Sequence, residues 1–347
     1  MRTYTFWNNK GGTGKTSLCF QCILEYALTH ANEKILVVDL CPQANLSELL
    51  FGSMQNGGAT NLDTMYQSNP RRSIGGYFQE RMQSPFQMPP LNSTDFISSP
   101  HTLNNNIPTN IDLIAGDRLV ELQSSFISSL TANKMPGINT YISVVTWLKD
   151  LLSNLQDYDI AFIDTNPSFS IYTQIALAAT EKLIIPVMAD DSSKRALTNV
   201  LCLVYGYNIP SPLYANYSFN KEMQNAGLPL PQIHIIVKNR ITQYMGTAAA
   251  YRGVLSSIDN EINNMRTSFP NYFTSNDVIM EVRDFQTSGI AAFAEAKSFS
   301  QLVNDKRIRN IGGKDVQLDI NQMQNNLQNI LSIVGRLGVR GTGTLIQ

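Results

Sequence analysis

Tyr4-Thr5-Phe6-Trp7-Asn8-Asn9-Lys10-Gly11-Gly12-Thr13-Gly14-Lys15-Thr16 decides how the rest of the chain is read. Tyr4 to Trp7 reads as a first strand. The residues after Lys15 place Leu18, Cys19, Cys22, Ile23, Tyr26 and Ala27 at helical spacing. Between strand and helix lies a glycine-rich loop. A loop that grips a triphosphate needs backbone N–H groups turned inward with no side chains in the way. Gly11, Gly12 and Gly14 meet that need, because glycine adopts the required dihedrals and lets phosphate come close. The helix that follows points its positive end at the phosphates. Lys15 is then placed to bridge the β and γ phosphates, and the Thr16 hydroxyl to ligate magnesium. Thr13 and Ser17 complete the cradle. The strict pattern G-x-x-x-x-G-K-[ST] is broken at its first position by Asn9.

Moving outward, Ile35-Leu-Val-Val-Asp-Leu40, Tyr158-Asp-Ile-Ala-Phe-Ile-Asp164, Leu183-Ile-Ile-Pro-Val187 and Ile233-His-Ile-Ile-Val237 are short apolar runs. Such runs fit strands buried on both faces, as in parallel sheets. Helical stretches lie between several of them. The alternation predicts an α/β fold, a doubly wound and mostly parallel sheet flanked by helices, of the P-loop nucleotide-binding type. Two regions interrupt the rhythm. Residues 52–110 are rich in Gly, Asn, Ser, Gln and Pro and read as an irregular or partly helical insertion with mobile parts. Residues 206–232, with Pro210, Pro212, Pro229 and Pro231, read as a long connection. A C-terminal helical segment over about 286–340 carries Ile320, Met323, Leu327, Ile330, Val334 and Leu337 on one apolar face. The expectation is a single domain over 1–347.

The totals agree. The 347 residues suit one large α/β domain or two ordinary ones; 43% are apolar and only 15% charged, with net charge −1. No global field draws the chain to nucleic acid or lipid, so such binding needs a local patch. No signal-peptide layout opens the sequence, and the apolar runs are far shorter than the roughly 20 residues a membrane span needs. A cytoplasmic location is expected. Of the four cysteines, Cys19 and Cys22 have the spacing of a metal knuckle but no second pair to complete a tetrahedral site, and they read as buried helix residues.

Lys10, just before the double glycine, makes the loop resemble the deviant Walker A loop, K-G-G-x-G-K-[ST], of the ParA/MinD family of ATPases. The resemblance covers most of the chain and is closest to ParA-type partition ATPases. Val37-Val-Asp-Leu-Cys-Pro-Gln-Ala-Asn45 resembles the family's switch I, and Asp164-Thr-Asn-Pro-Ser168 its Walker B with switch II. Ile111 to Gly116 resembles the strand before a helix that here contains Leu119 and Glu121. Residues 176–187 resemble the helix–strand unit after Walker B. Asn239 and Arg240 look like the adenine contact, and Val282-Arg-Asp-Phe285 falls where the family closes over the base, without the proline often found there. The resemblance implies that Lys10 reaches across a dimer to the partner's nucleotide. Asp39 and Asp164 end apolar strands, where carboxylates face the loop at the carboxyl edge of the sheet and can hold magnesium through water. The chain has no N-K-x-D signature of a GTP site, so ATP with Mg2+ is expected. The candidate catalytic set is Lys10, Lys15 and Asp39; the metal set is Thr16, Asp39 and Asp164.

One departure matters. Where the family's switch I carries a second acid that orients the attacking water, this chain has Cys41. A thiol accepts hydrogen bonds weakly and is mostly neutral near pH 7. Positioning supplies most of the catalysis in phosphoryl transfer, so slow or partner-stimulated hydrolysis is expected. Asp190 or Asp191 is the candidate replacement acid. The implied function is that of an ATP-dependent dimerising switch that positions or segregates DNA or another cargo, aided by a ParB-like or adaptor protein. From Lys297 onward there are seven basic residues (Lys297, Lys306, Arg307, Arg309, Lys314, Arg336, Arg340) against three acids, a net +4 that favours non-specific DNA. A MinD-like membrane- or partner-binding switch, a nucleotide binder with little hydrolysis, and a small-molecule ligase on the same fold are the alternatives. The C-terminal apolar face lacks a basic flank, which disfavours lipid.

Overall fold

The computed structural model describes residues 1–338 except 134, 189, 242–248 and 306–307. In chain order the strands are β1 (Arg2–Phe6), β2 (Ile35–Asp39), β3 (Ile111–Ile114), β4 (Ile160–Asp164), β5 (Lys182–Met188), β6 (Gln232–Ile241), β7 (Ile279–Arg283), β8 (Ile308–Ile311) and β9 (Lys314–Gln317). The helices are α1 (Lys15–Thr29), α2 (Asn45–Leu50), α3 (Gly58–Gln67), α4 (Ile74–Gln83), α5 (Leu119–Thr131), α6 (Thr140–Val145), α7 (Trp147–Ser153), α8 (Ile171–Ala178), α9 (Asp191–Tyr205), α10 (Pro212–Ala215), α11 (Phe219–Asn225), α12 (Ala249–Ser268), α13 (Gln286–Glu295), α14 (Phe299–Val303) and α15 (Ile320–Leu337).

Seven strands form one sheet in the order β3-β2-β4-β1-β5-β6-β7, with every neighbouring pair parallel. Alternation explains why the strand sequences read as unbroken apolar runs. In β2, Leu36 and Val38 enter one core while Ile35 and Val37 enter the other. In β4, Ala161 and Ile163 oppose Ile160 and Phe162 in the same way. One face is covered by helices such as α5, α7, α8 and α9, the other by α1, α13, α14 and α15. The chain leaves β1 toward β2 on one side and later reaches β5 on the other, so the carboxyl end of β1 is where the strand order reverses. Ligands bind at that crevice in open α/β sheets. Register sharpens the point: Phe6 pairs with Asp164, and Asp164 with Asp39. The ends of three adjacent strands therefore bring the loop and both carboxylates to one level.

Two regions are packed more closely than their composition suggests. The stretch 52–110 holds α3 and α4, and it sends Ile74, Tyr77, Phe78 and Phe96 into the core. Tyr77 donates to the Trp147 carbonyl at 2.6 Å, and buried Arg81 pairs with Asp150. Its few apolar residues are concentrated on one face, which average composition conceals. The connection over 206–232 contains α10 and α11, and Phe219 and Met223 are buried. The segment 286–340, expected to be helical, is interrupted by the antiparallel pair β8 and β9 between α14 and α15. Its last helix keeps the expected apolar face: Met323, Ile330, Val334 and Leu337 are buried against α1 and α14, so this face is not open to lipid. Among the described residues no helix is long and apolar enough to cross a membrane.

Candidate functional site at the carboxyl edge of the sheet

The loop between β1 and α1 has the shape its glycines allow. Gly12 and Gly14 have φ of +73° and +76°, a left-handed backbone that side chains rarely adopt. Gly14 is doubly constrained, since a Cβ there would lie 2.5 Å from Asn239 Nδ2. That amide nitrogen donates to the Thr13 carbonyl at 2.8 Å. Asn8 supports the loop from below: its Nδ2 donates to the Pro186 carbonyl at 2.7 Å and its Oδ1 accepts from the Lys10 N–H at 3.0 Å. The end of β6 thus braces the loop through Asn239, and Arg240, with φ +59°, lines the same cavity. That cavity, of about 490 Å³, is also lined by Gly12 to Ser17, by Cys41 to Gln43, and by Thr165 to Pro167. It is the right size for a small ligand.

Lys15 is only 7% exposed, and its ammonium donates to the Lys10 carbonyl at 3.3 Å. Burial lowers its proton affinity, which the nearby Asp164 and Cys41 partly restore. A buried ammonium of this kind gains most from an anion brought to it. Thr16 Oγ1 donates to Asp164 Oδ2 at 2.7 Å. The other oxygen, Asp164 Oδ1, is buried without a hydrogen-bond partner. Burial, then the neighbouring Asp39, raises the proton affinity of Asp164; Thr16 and Lys15 work against this. An unsatisfied, buried carboxylate oxygen beside a threonine hydroxyl fits a divalent cation. No group of three or more His, Cys, Asp and Glu that could hold a metal occurs among the described residues. A threonine hydroxyl and one carboxylate would suit magnesium, which takes one or two protein oxygens plus waters and phosphate oxygens.

Asp39 is differently engaged. Its Oδ1 accepts from the Cys41 N–H at 3.0 Å, and its Oδ2 accepts from the N–H and hydroxyl of Ser47 at 2.9 and 2.8 Å. Ser47 Oγ in turn accepts from the Gly116 N–H at 2.8 Å. The carboxylate ties β2, switch I and the end of β3 together. Burial raises its proton affinity against the pull of those donors. Cys41 is 8% exposed, and burial followed by Asp39 and Asp164 pushes its thiol up to about 12. It is a neutral thiol.

Lys10 stands on the rim, its side chain 22% exposed, with its ammonium on the Asp190 carboxylate. Asp190 also caps α9 by accepting from the Ser193 N–H at 2.9 Å. Burial raises the Asp190 carboxyl, but the donors Lys10, Ser192 and Ser193 more than offset it and hold it below the usual range. Asp190 is thus bound to Lys10. The side chain of Asp191 lies outside what is described.

The sequence missed two contributors, Ser47 and Tyr172, and left a third, Glu121, without a role. Ser47 was unsignalled because its link to Asp39 depends on the path of switch I. Glu121, noted in the helix after β3, lines the cavity. Tyr172 joins Glu121 to switch II: its hydroxyl accepts from Asn166 Nδ2 at 2.5 Å and donates to Glu121 Oε2 at 3.1 Å. The basic tail needs correction as a free patch. Lys297 pairs with Glu295 and Asp305, Arg309 with the same two acids, and Arg336 with Asp277. Glu295 and Asp277 lie upstream of the stretch over which the charge was counted. Lys306, Arg307 and Arg340 lie outside the described residues. Cys19 and Cys22 are buried on α1, as expected.

A family profile described as an AAA domain matches residues 1–206, more than half of the chain. The virulence plasmid ParA family protein pGP5-D of Chlamydia psittaci is 27% identical over 213 residues, 60% of this chain and 66% of that protein. The cell division protein PomZ of Myxococcus xanthus is 26% identical over 189 residues, 54% of this chain and 47% of that protein. The matched stretch thus spans less than two thirds of either relative. Among solved structures, an ATP complex of a Cyanothece McdA variant superposes with a TM-score of 0.61 at 17% identity, covering 100% of this chain and 99% of that one. A putative plasmid partition protein from Borrelia burgdorferi B31 bound to AMPPNP gives 0.54 at 18% identity, with 97% and 99% covered. These two likenesses speak to the fold. With the profile match and the loop, switch and strand-end geometry above, they lead to one statement: the chain belongs to the ParA/MinD-like family of P-loop ATPases.

Proposed function

We propose that this chain is an ATP-dependent dimerising switch that positions or segregates a cargo. The observation that carries the reading is Lys10, held at the rim of the phosphate loop by one side chain, Asp190, that a competing anion can replace. ATP binds through Gly11 to Ser17, with Lys15 on its β and γ phosphates and Asn239 and Arg240 toward the base. Thr16 and Asp164 would hold magnesium, with Asp39 supporting the site from β2, and the ion would neutralise charge on the phosphates. Two ATP-bound copies meet face to face, and each Lys10 leaves Asp190 for the other's phosphates. Hydrolysis removes that contact and separates the pair, an order–disorder change under γ-phosphate control. With a neutral Cys41 in switch I, turnover is slow until a ParB-like or adaptor protein stimulates it.

The names of two relatives, a virulence plasmid ParA family protein and a cell division protein, favour cargo positioning over small-molecule synthesis. Non-specific DNA is the preferred surface. The tail supports it less than the charge count implied, since three of its described cations already have acidic partners. Lipid is disfavoured because the apolar face of α15 is turned inward.

Sedimentation velocity with Mg2+ and ATP tests the reading. The wild type should sediment as a dimer, and Lys10→Ala as a monomer that still binds nucleotide. A wild type that binds ATP and stays monomeric, or a Lys10→Ala dimer as stable as the wild type's, would sink the cross-dimer role.

A further inference from the structure

We infer that Glu121 supplies the carboxylate that orients the attacking water, in place of the acid missing at Cys41; this rests on the ATPase reading above. Among the described residues lining the phosphate-loop cavity, Glu121 is the sole acid. It faces the same space as Cys41, Asn166 and Lys15. Asp39 and Asp164 are fully buried beneath, with three of their four oxygens in hydrogen bonds to Cys41, Ser47 and Thr16. Asp190 is bound to Lys10.

Glu121 has the further property that a water-orienting base needs, which is a fixed direction. It lies in the first turn of α5, where the helix dipole favours a carboxylate. Its Oε2 accepts from the hydroxyl of Tyr172, a residue 2% exposed, at 3.1 Å, and that hydroxyl accepts from Asn166 of switch II at 2.5 Å. Asn166 Oδ1 is itself held by Ser168 and Thr173, at 2.9 and 3.1 Å. A chain of hydrogen bonds therefore connects switch II with Glu121. Glu121 Oε1 remains for a water. In the step, the water oxygen bonds to the γ-phosphorus as the bond to the β-bridging oxygen breaks, and ADP leaves with that electron pair. One water proton stays on the new phosphate oxygen. The other passes to Glu121 and from there to solvent.

Single-turnover hydrolysis and equilibrium ATP binding, measured separately, test this on the full chain. Glu121→Gln should lower the hydrolysis rate by about 100-fold, within the range of a lost general base. ATP affinity should stay within twofold, which a merely structural defect would not do. Glu121→Asp should recover part of the rate. Cys41→Asp should raise the rate, and in that background Glu121→Gln should cost less than about threefold, since two groups doing one task are non-additive. A Glu121→Gln rate within twofold of wild type overturns the inference, as do independent, multiplying effects of the two positions. A wild type that binds ATP without hydrolysing it also overturns it, while leaving the dimer switch standing. Failure to bind ATP at all would instead overturn the ATPase reading.

Discussion

Positive charge is handled in opposite ways at Lys15 and in the C-terminal region of this chain. In the phosphate loop Lys15 is 7% exposed, and its ammonium meets a carbonyl. In the C-terminal region Lys297, Arg309 and Arg336 each meet a carboxylate. Burying an ammonium away from a carboxylate costs free energy, and stable proteins avoid it unless something offsets it. The fold tolerates the cost where an anionic ligand will arrive, and removes it elsewhere by pairing. A local rule broken at one place and obeyed at another separates the working edge from the supporting edge.

The largest expected effect tests this contrast at the loop. Lys15→Met keeps most of the side-chain volume and removes the charge. ATP affinity should fall by roughly 100-fold or more, about 2.7 kcal/mol. The nucleotide-free protein should be as stable as the wild type or more so, because a buried cation has been replaced by an apolar chain of similar size. Nucleotide titration and denaturant unfolding of the same variant check both halves. A marked loss of stability without nucleotide would show that Lys15 holds the loop together, and the contrast would fail.

The supporting edge should answer in the reverse sense. Ile330 is fully buried on α15, which packs across α1 and α14. Ile330→Ala deletes core volume and should destabilise by about 3 kcal/mol, the middle of the range for such truncations. ATP affinity should remain within twofold, since the cavity's lining comes from other elements. A parallel fall in affinity, measured well below the melting point, would mean that α15 sets the shape of the loop.

These contrasts explain how far the sequence could be read. The strands were legible because a parallel sheet covered on both faces demands unbroken apolar runs, and Ile35–Asp39 and Ile160–Asp164 supply them. The loop was legible because few other arrangements explain Gly12 and Gly14 before Lys15. Pairings set by chain path were hidden. Lys10 and Asp190 are 180 residues apart, and Asp39 is satisfied by a serine eight positions on. The role of residues 52–110 as a packed layer was masked because Ile74, Tyr77 and Phe78 are diluted by Gly, Asn and Gln in any average. Glu121 was legible as a position in the helix after β3, but its place on the phosphate-loop cavity depends on the path of the chain from β3 into α5.

The smallest expected effect concerns the tail. Arg336 ends α15 and donates to both the carbonyl and the carboxylate of Asp277, whose side chain is 77% exposed. An ion pair this open is worth little, so Arg336→Gln should shift stability by less than about 0.5 kcal/mol. Its bearing on DNA is more informative. A cation that contacts a DNA phosphate contributes about one unit to the slope of log affinity against log salt. Because Arg336 already has a carboxylate, Arg336→Gln should leave that slope unchanged in the ATP state, as measured by DNA co-sedimentation across a salt series. A slope smaller by about one would mean that the pair with Asp277 opens on DNA. The acids around the tail would then act as counterions that yield to phosphate, and Lys15 and the C-terminal region would handle charge in the same way.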